Sequence, residues 1–416
     1  MTAEIRTLTK DDFPRWLAAL STGFLERPDT TPEEVEVRLR AVDLDRTQGA
    51  VDRGRFVGTF RTTPQEMTVP GGAVLPSCAV TNVTVSPTHR RRGILTRMMG
   101  DALRAAKERG DAFSTLIAAE YPIYGRYGFG PAAWISAWEV DVPRSGVDPR
   151  HAGPPAGEGR IDLLDIEELR RLGPDLHDRF RRGADRQGTI DRTEHWWQLR
   201  TGQLRFPGDD YKQPFAAAYR DADDEVQGIV VYTFKSDWHD KRPHETVQVK
   251  SLTATTPAAE RALWQFVLSI DWVTTVRTGL RAPDDVLPHL LPDPRAAQIG
   301  IHADWLWLRP LDVPRMLEAR SYPTTGTLVL QVLDEAGLAG GRYRLEAGPD
   351  GAKCAPTTDE PDLTLPVGEL GRLYLGDEAA TRLVTLGRVT ENRAGAARIA
   401  DLLLRTARRP WCPDVF

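Results

Sequence analysis

Apolar residues recur at helical spacing over Asp11–Leu25, where Phe13, Trp16, Leu17, Leu20 and Phe24 share one face, and this predicts an amphipathic helix after a short strand at Glu4–Thr9. Alternating patterns follow. Phe56–Thr68 and Ala73–Val85 predict two long antiparallel strands joined by the Pro-Gly-Gly turn at 70–72. The second strand runs into Ser86-Pro87-Thr88-His89-Arg90-Arg91-Arg92-Gly93. Helical spacing then extends from Ile94 to about Glu108, stopped by Gly110, and a strand is predicted at Phe113–Ala118. The order is strand, strand, glycine-bearing turn, helix, strand.

That order recurs. Beyond a Pro/Gly-rich stretch at Val142–Gly159, which reads as a linker, strands are predicted at Phe215–Arg220, Val226–Phe234 and Thr246–Thr253, and a helix from about Ala258 to Ile270. Phe56-Val57-Gly58 matches Val226-Gln227-Gly228, and Val80–Val85 matches Val249–Ala254, so the chain carries an internal duplication. Where the first copy has its arginines and Gly93, the second has Thr255-Thr256-Pro257-Ala258-Ala259-Glu260. Only the first copy is therefore expected to bind a nucleotide-like co-substrate. From about His302 the rhythm changes to strands at Thr327–Leu333, Gly341–Ala347 and Leu363–Pro366, with helices at Val367–Tyr374 and Gly395–Thr406. Three domains are expected, at 1–142, 143–300 and 301–416, the last an α+β unit with a mostly structural role.

Composition narrows the partners. The 416 residues carry 54 basic and 59 acidic side chains for a net charge of −5, which disfavours nucleic acid and anionic membranes as partners. No segment approaches the roughly 20 apolar residues of a membrane span. The opening Met-Thr-Ala-Glu-Ile-Arg lacks a secretory pattern, and Cys78, Cys354 and Cys412 have neither metal nor disulfide spacing. A cytoplasmic protein without a metal is expected. Only seven of the basic residues are lysine, a codon bias that fits a GC-rich bacterial genome.

Candidate chemistry concentrates in two places. Val83-Thr84-Val85 leading into Arg90–Thr96 places glycine and arginines between a strand and a helix start. There free N–H groups and the positive dipole end favour a pyrophosphate. Gly93 is not followed by Lys and Ser/Thr, so the turn is no P-loop, and it lacks the three glycines of a dinucleotide fingerprint. It resembles the Arg-x-x-Gly-x-Gly/Ala turn of the GNAT N-acetyltransferases, with Leu95 at the last position. The second place is Ala119–Pro131, which includes Tyr121, Tyr124, Tyr127 and Phe129. A tyrosine beside such a turn is matched to protonating a leaving thiolate. Tyr124 is the candidate acid, and the other aromatics read as packing.

Together, Val-x-Val-Ser-Pro-Thr-His-Arg-Arg-Arg-Gly and Ile-Tyr-Gly-Arg-Tyr-Gly-Phe-Gly-Pro resemble the Eis (enhanced intracellular survival) acetyltransferases of actinobacteria, over nearly the whole chain. The resemblance implies mixed α/β and α+β architecture: tandem GNAT folds, the second degenerate, followed by a sterol-carrier-protein-like domain. It implies contacts to acetyl-CoA from Val83, Thr84, Val85, Arg91, Arg92, Gly93, Ile94, Leu95, Thr96, Ala119 and Glu120. It implies Tyr124 as general acid, the carboxylate of a terminal Phe416 as base, and a homohexamer. An α-carboxylate, with an unperturbed pKa near 3.5, is ionised at pH 7 and can accept a proton. Asp414 beside it is expected to help attract a cationic amine.

Other candidates recede. His195 beside Trp196 and Trp197 reads as a helix element, with one Trp available to wall a pocket. Cys412 lacks a histidine partner in sequence, and Asp43, Asp45 and Arg46 form a solvated patch. The resulting expectation is acetyl transfer from acetyl-CoA to a primary amine of a polycation, of the aminoglycoside type, or of a peptide or protein lysine. The competing readings are an acyltransferase for another acyl-CoA and a non-catalytic lipid-binding protein.

Overall fold

The computed structural model describes residues 3–145, 159–206 and 210–416, so most of the linker expected at Val142–Gly159 lies outside the described residues. The first amphipathic helix forms at Phe13–Gly23 and buries Phe13, Trp16, Leu17 and Leu20. Phe24 falls just past its end and is exposed.

Nineteen strands are described. The first copy holds β1 (Glu4–Thr7), β2 (Thr47–Asp52), β3 (Arg55–Thr68), β4 (Val74–Val85), β5 (Phe113–Ile117) and β6 (Gly130–Asp141). The second holds β7 (Gly159–Leu164), β8 (Phe215–Asp221), β9 (Val226–Lys235), a small ribbon of β10 (Trp238–His239) with β11 (Arg242–Pro243), β12 (Glu245–Ala254), β13 (Val273–Arg277) and β14 (Ala297–Pro310). Apart from the ribbon they form one sheet, ordered β1-β2-β3-β4-β5-β14-β6-β13-β12-β9-β8-β7.

This order exposes an exchange. Each copy contributes five strands in matching sequence, β1 to β5 and β7-β8-β9-β12-β13, but the sixth strand of each crosses to the other. β14 pairs with β5 (Leu306↔Ile117) and β6 with β13 (Val140↔Val276), while β6 and β14 pair with each other from Ala297↔Val140 to Leu308↔Gly130. The boundaries expected at 142/143 and 300/301 divide the chain but not this sheet; the second falls inside β14. Being central, β6 is buried over Gly130–Ala133, which explains its run of small and apolar residues.

The third unit is a five-stranded sheet, ordered β17 (Gly351–Pro356), β16 (Gly341–Gly348), β15 (Gly326–Leu333), β18 (Leu363–Pro366), β19 (Thr390–Glu391). Its helix Val367–Tyr374 presses against β6 and β14. Glycines permit the approach: a Cβ on Gly130 would sit 1.9 Å from the Gly368 carbonyl oxygen, and one on Gly371 2.3 Å from that of Leu308. Phe113, Ala132, Leu306 and Leu308 share a core with Leu370, Leu373 and Tyr374. The fully buried Arg309 adds a charged tie, donating from Nη2 to both Asp334 oxygens at 2.9 Å. The expected architecture, two GNAT folds followed by an α+β unit, is what forms.

Candidate active site

The site begins where two strands part. β4 pairs in parallel with β5 only over Ser77–Ala79 and Phe113–Thr115; beyond that β5 stays with β14, and a wedge opens beside Val80–Val85. Within this free stretch β4 bulges. Thr59 opposes Thr84 while Arg61 opposes Thr81, so Phe60 faces both Asn82 and Val83, and Asn82 takes φ 54°. A bulge re-aims the strand beside the wedge. Thr84 turns inward: its hydroxyl lies 2.7 Å from that of Thr59, and its methyl packs where a Cβ on Gly23 would collide. Of Thr84, therefore, only the backbone can serve a ligand in the wedge.

The arginine turn follows. Arg91 and Gly93 both have positive φ, 62° and 72°, and Arg90, Arg91, Arg92 and Gly93 are exposed. Nothing lies within 4 Å of a Cβ built on Gly93. The helix Ile94–Glu108 starts from Gly93 with no side-chain cap, so its first N–H groups remain available. The matching helix of the second copy, Pro257–Leu268, is instead closed by the Thr256 hydroxyl accepting from Ala259 N. The turn is held by His89, whose Nε2 lies 3.0 Å from Asp52 and whose Nδ1 lies 2.8 Å from the Thr88 hydroxyl. The chemistry of this donor set, arginines and uncapped amides with an open glycine, fits a pyrophosphate.

Past β5, Ala119 and Glu120 are exposed and lead into the helical turn Tyr121–Tyr124. Two contacts bring this turn to the arginines: Arg90 to Glu120 at 3.8 Å, and Thr96 Oγ1 to the Tyr127 hydroxyl at 3.3 Å. Tyr124 is 8% exposed and its ring stands edge-on to Phe129. Burial, then the neighbouring Glu120 and Tyr127, pushes its phenol above the ordinary tyrosine value of 10, so it stays protonated at neutral pH. Phe129 is core, Tyr121 stands edge-on to Trp307, and Tyr127 bonds to Thr96.

The tail Trp411–Phe416 docks beside β14. Trp305, adjacent to the residue of β14 that opposes Ile117, donates from its indole to the Asp414 carbonyl at 3.2 Å. Phe416 packs partly buried against the core that β5 and β14 share. Here one expectation is corrected. Asp414 does not face an incoming amine; it is buried and paired with Arg192 Nε at 3.0 Å, because an unpaired carboxylate at that depth would be too costly. Trp197 is core, packed on Gly173, while Trp196 is half-buried beneath the Arg192 guanidinium. Cys412 is fully buried and its thiol pushed well up. Asp43 caps the short turn Leu44–Arg46. Thr59, Asn82, Arg192 and Trp305 escaped the sequence reading; of these, only Arg192 bordering Trp196 and Trp197 left a trace, as a cation next to aromatics.

Two GNAT acetyltransferase-domain models match the chain, at residues 4–132 and 188–310, and a sterol carrier protein domain model matches 313–413. An uncharacterized N-acetyltransferase of Streptomyces avermitilis is 57% identical over 414 residues, spanning 99% of this chain and 98% of its own. The N-acetyltransferase Eis of Mycobacterium tuberculosis is 31% identical over 420 residues, 98% of this chain and 99% of its own. The crystal structure of Eis1 from Mycobacterium abscessus superposes with a TM-score of 0.84 at 31% identity, covering all of both chains.

Proposed function

The chain belongs to the Eis-type GNAT N-acetyltransferases, and from that premise we propose that its first copy transfers the acetyl group of acetyl-CoA to a primary amine at the wedge between β4 and β5. The observation that carries this assignment is the meeting of the uncapped helix start at Gly93 with the Tyr124 turn. Arg91, Arg92, Gly93, Ile94, Leu95 and Thr96 hold the pyrophosphate, and Val83, Thr84, Val85, Ala119 and Glu120 line the thioester arm. The neutral amine nitrogen attacks the thioester carbonyl carbon while a backbone N–H of Val83–Val85 stabilises the oxyanion. The amine proton passes to the carboxylate of Phe416; the C–S bond then breaks and the departing thiolate takes the Tyr124 proton.

The acceptor we propose is a polycationic amine of the aminoglycoside type, with a peptide or protein lysine as the second member of the class. With Asp414 committed to Arg192, it does not join the Phe416 carboxylate in attracting that amine. The assembly proposed is a homohexamer, and light scattering at micromolar concentration that shows a monomer rejects it. Coenzyme A release across a panel of aminoglycosides, polyamines and lysine peptides, repeated with longer acyl-CoA donors, tests acceptor and donor together. Absence of release with every amine overturns the enzyme assignment for this site.

A further inference from the structure

The second copy keeps the wedge without the turn. β12 pairs in parallel with β13 only between Glu245–Gln248 and Val273–Arg277, and past Gln248 the strands part as β4 and β5 do past Ala79. Arg281 and Trp411 enter this second wedge and border the cavity that remains between Lys250 and Gly279. Arg281, 5% exposed, donates from Nη1 to the Leu252 carbonyl at 2.9 Å, from Nε to Asp285 at 2.6 Å and from Nη2 to Glu260 at 3.3 Å. Its guanidinium lies 4.6 Å from the ring of Trp411, a residue of the tail. The Trp411 indole donates to the Leu280 carbonyl at 3.2 Å and its backbone N to Gln187 at 3.0 Å, while its carbonyl accepts from the Thr189 hydroxyl at 3.4 Å. Gly188, at φ +92°, lets the chains approach this closely: a Cβ there would lie 3.2 Å from the Trp411 carbonyl oxygen.

Three residues on, the Arg192–Asp414 pair repeats the grip, with side chains 4% and 3% exposed and the guanidinium lying 4.1 Å over Trp196. Trp305 holds the Asp414 carbonyl. Trp411, Cys412 and Asp414 are thus each fixed by hydrogen bonds or burial, and the chain is released only at the exposed Val415. The partners at 187–192 and 280–281 all come from the second copy.

We propose that the second copy uses its former co-substrate wedge as a clamp for the tail, and that Arg192, through Asp414, is a positioning residue setting where the end of the chain sits. This rests on the assignment of the Phe416 carboxylate as proton acceptor. The Arg192 Nε–H is shared between both Asp414 oxygens, at 3.0 and 3.2 Å; a buried, charge-assisted contact of this kind defines position more sharply than apolar packing does, and a misplacement of about 1 Å costs on the order of 10²-fold in rate.

The test compares three full-length variants: Arg192→Met/Asp414→Leu, Arg192→Lys, and a C-terminal Gly-Ser extension. Replacing both charges avoids stranding either one in the core. The double variant is expected to fold, bind acetyl-CoA by calorimetry as the wild type does, and lose roughly 10- to 100-fold in kcat. Its KM for acetyl-CoA should not change, and the rise of its rate with pH should move toward the pKa of the free amine. Arg192→Lys, which keeps the charge and loses the Nε donor, should fall between; if the double variant does not fold, this variant carries the test alone. Wild-type kcat and pH profile in the double variant, or in Arg192→Lys when it stands alone, with the extended protein inactive, overturns the clamp and leaves the carboxylate assignment standing. Wild-type turnover in the extended protein overturns both.

Discussion

The hydroxyls of Thr96 and Tyr127 stand 3.3 Å apart, which ties the first turn of the helix at the arginine turn to the segment that carries Tyr124. The proposed binding turn and the proposed acid are therefore joined by a short path through the protein, and substitutions on either side should separate binding from chemistry.

Gly93→Asp should abolish acetyl-CoA binding and leave the fold intact. The space around Gly93 is open and its φ of 72° is strained for any side chain, so the local cost is about 1 to 2 kcal/mol. The added negative charge meets the position proposed for the pyrophosphate. Gly93→Ala isolates the strain, and calorimetry should find it binding far more tightly than the aspartate. Equal affinity in wild type and Gly93→Asp would remove the turn from the site.

Tyr124→Phe should lower kcat by roughly 10²- to 10⁴-fold, the range of general acid catalysis, with little change in acetyl-CoA affinity. The pH profile carries a second signature. Burial raises the phenol above 10, so the proton is present below that value and is lost only as pH climbs through it. Wild-type kcat should hold to at least pH 10; a descending limb near pH 8 that persists in the phenylalanine variant would belong to another group.

How much of this was legible beforehand follows the range of the interactions. The helix Ile94–Glu108 was read from its start to about its end, because Gly93, Gly110 and its apolar spacing are local signals. The helix Ile166–Arg181 went unread, since Pro174 sits inside it and tertiary packing of Leu169, Leu176 and Phe180 overrides that break. The strand exchange left no local mark: β5 and β14 are nearly 200 residues apart, and either partner suits the same apolar pattern. Tyr124 was singled out from its motif, whereas the fate of Asp414 depended on Arg192, 222 residues away.

Deleting Phe416 should also silence turnover. It leaves a carboxylate on Val415, but up to about 3.5 Å short along the chain, and the clamp on Trp411 and Asp414 keeps the tail from sliding forward to compensate. The deletion variant should bind acetyl-CoA normally and release little coenzyme A. Full activity would reduce the last residue to a packing element.

His177 predicts the response to acid. It is buried, donates from Nε2 to the Ile190 carbonyl at 2.8 Å, and burial next to Arg192 pushes it down to about 3. Between about 6.5, its value in the unfolded chain, and about 3, the unfolded state binds a proton that the folded state refuses. Stability from this group is complete above pH 6.5 and declines as pH falls, by up to about 1.4 kcal/mol per unit. Urea midpoints from pH 7 to 4 should drop less steeply in His177→Gln. Identical slopes would assign the acid sensitivity elsewhere.

The exchange of β6 and β14 has a consequence for how such a chain can change over generations. Once each half borrows its closing strand from the other, neither can be deleted without leaving the survivor an unpaired edge down its centre. Mutations that erase a nucleotide-binding turn in one half are tolerated, while mutations that erase its strands are not. A duplicated half that has lost its original chemistry is thereby retained as scaffold, free to acquire a new task so long as it continues to pair.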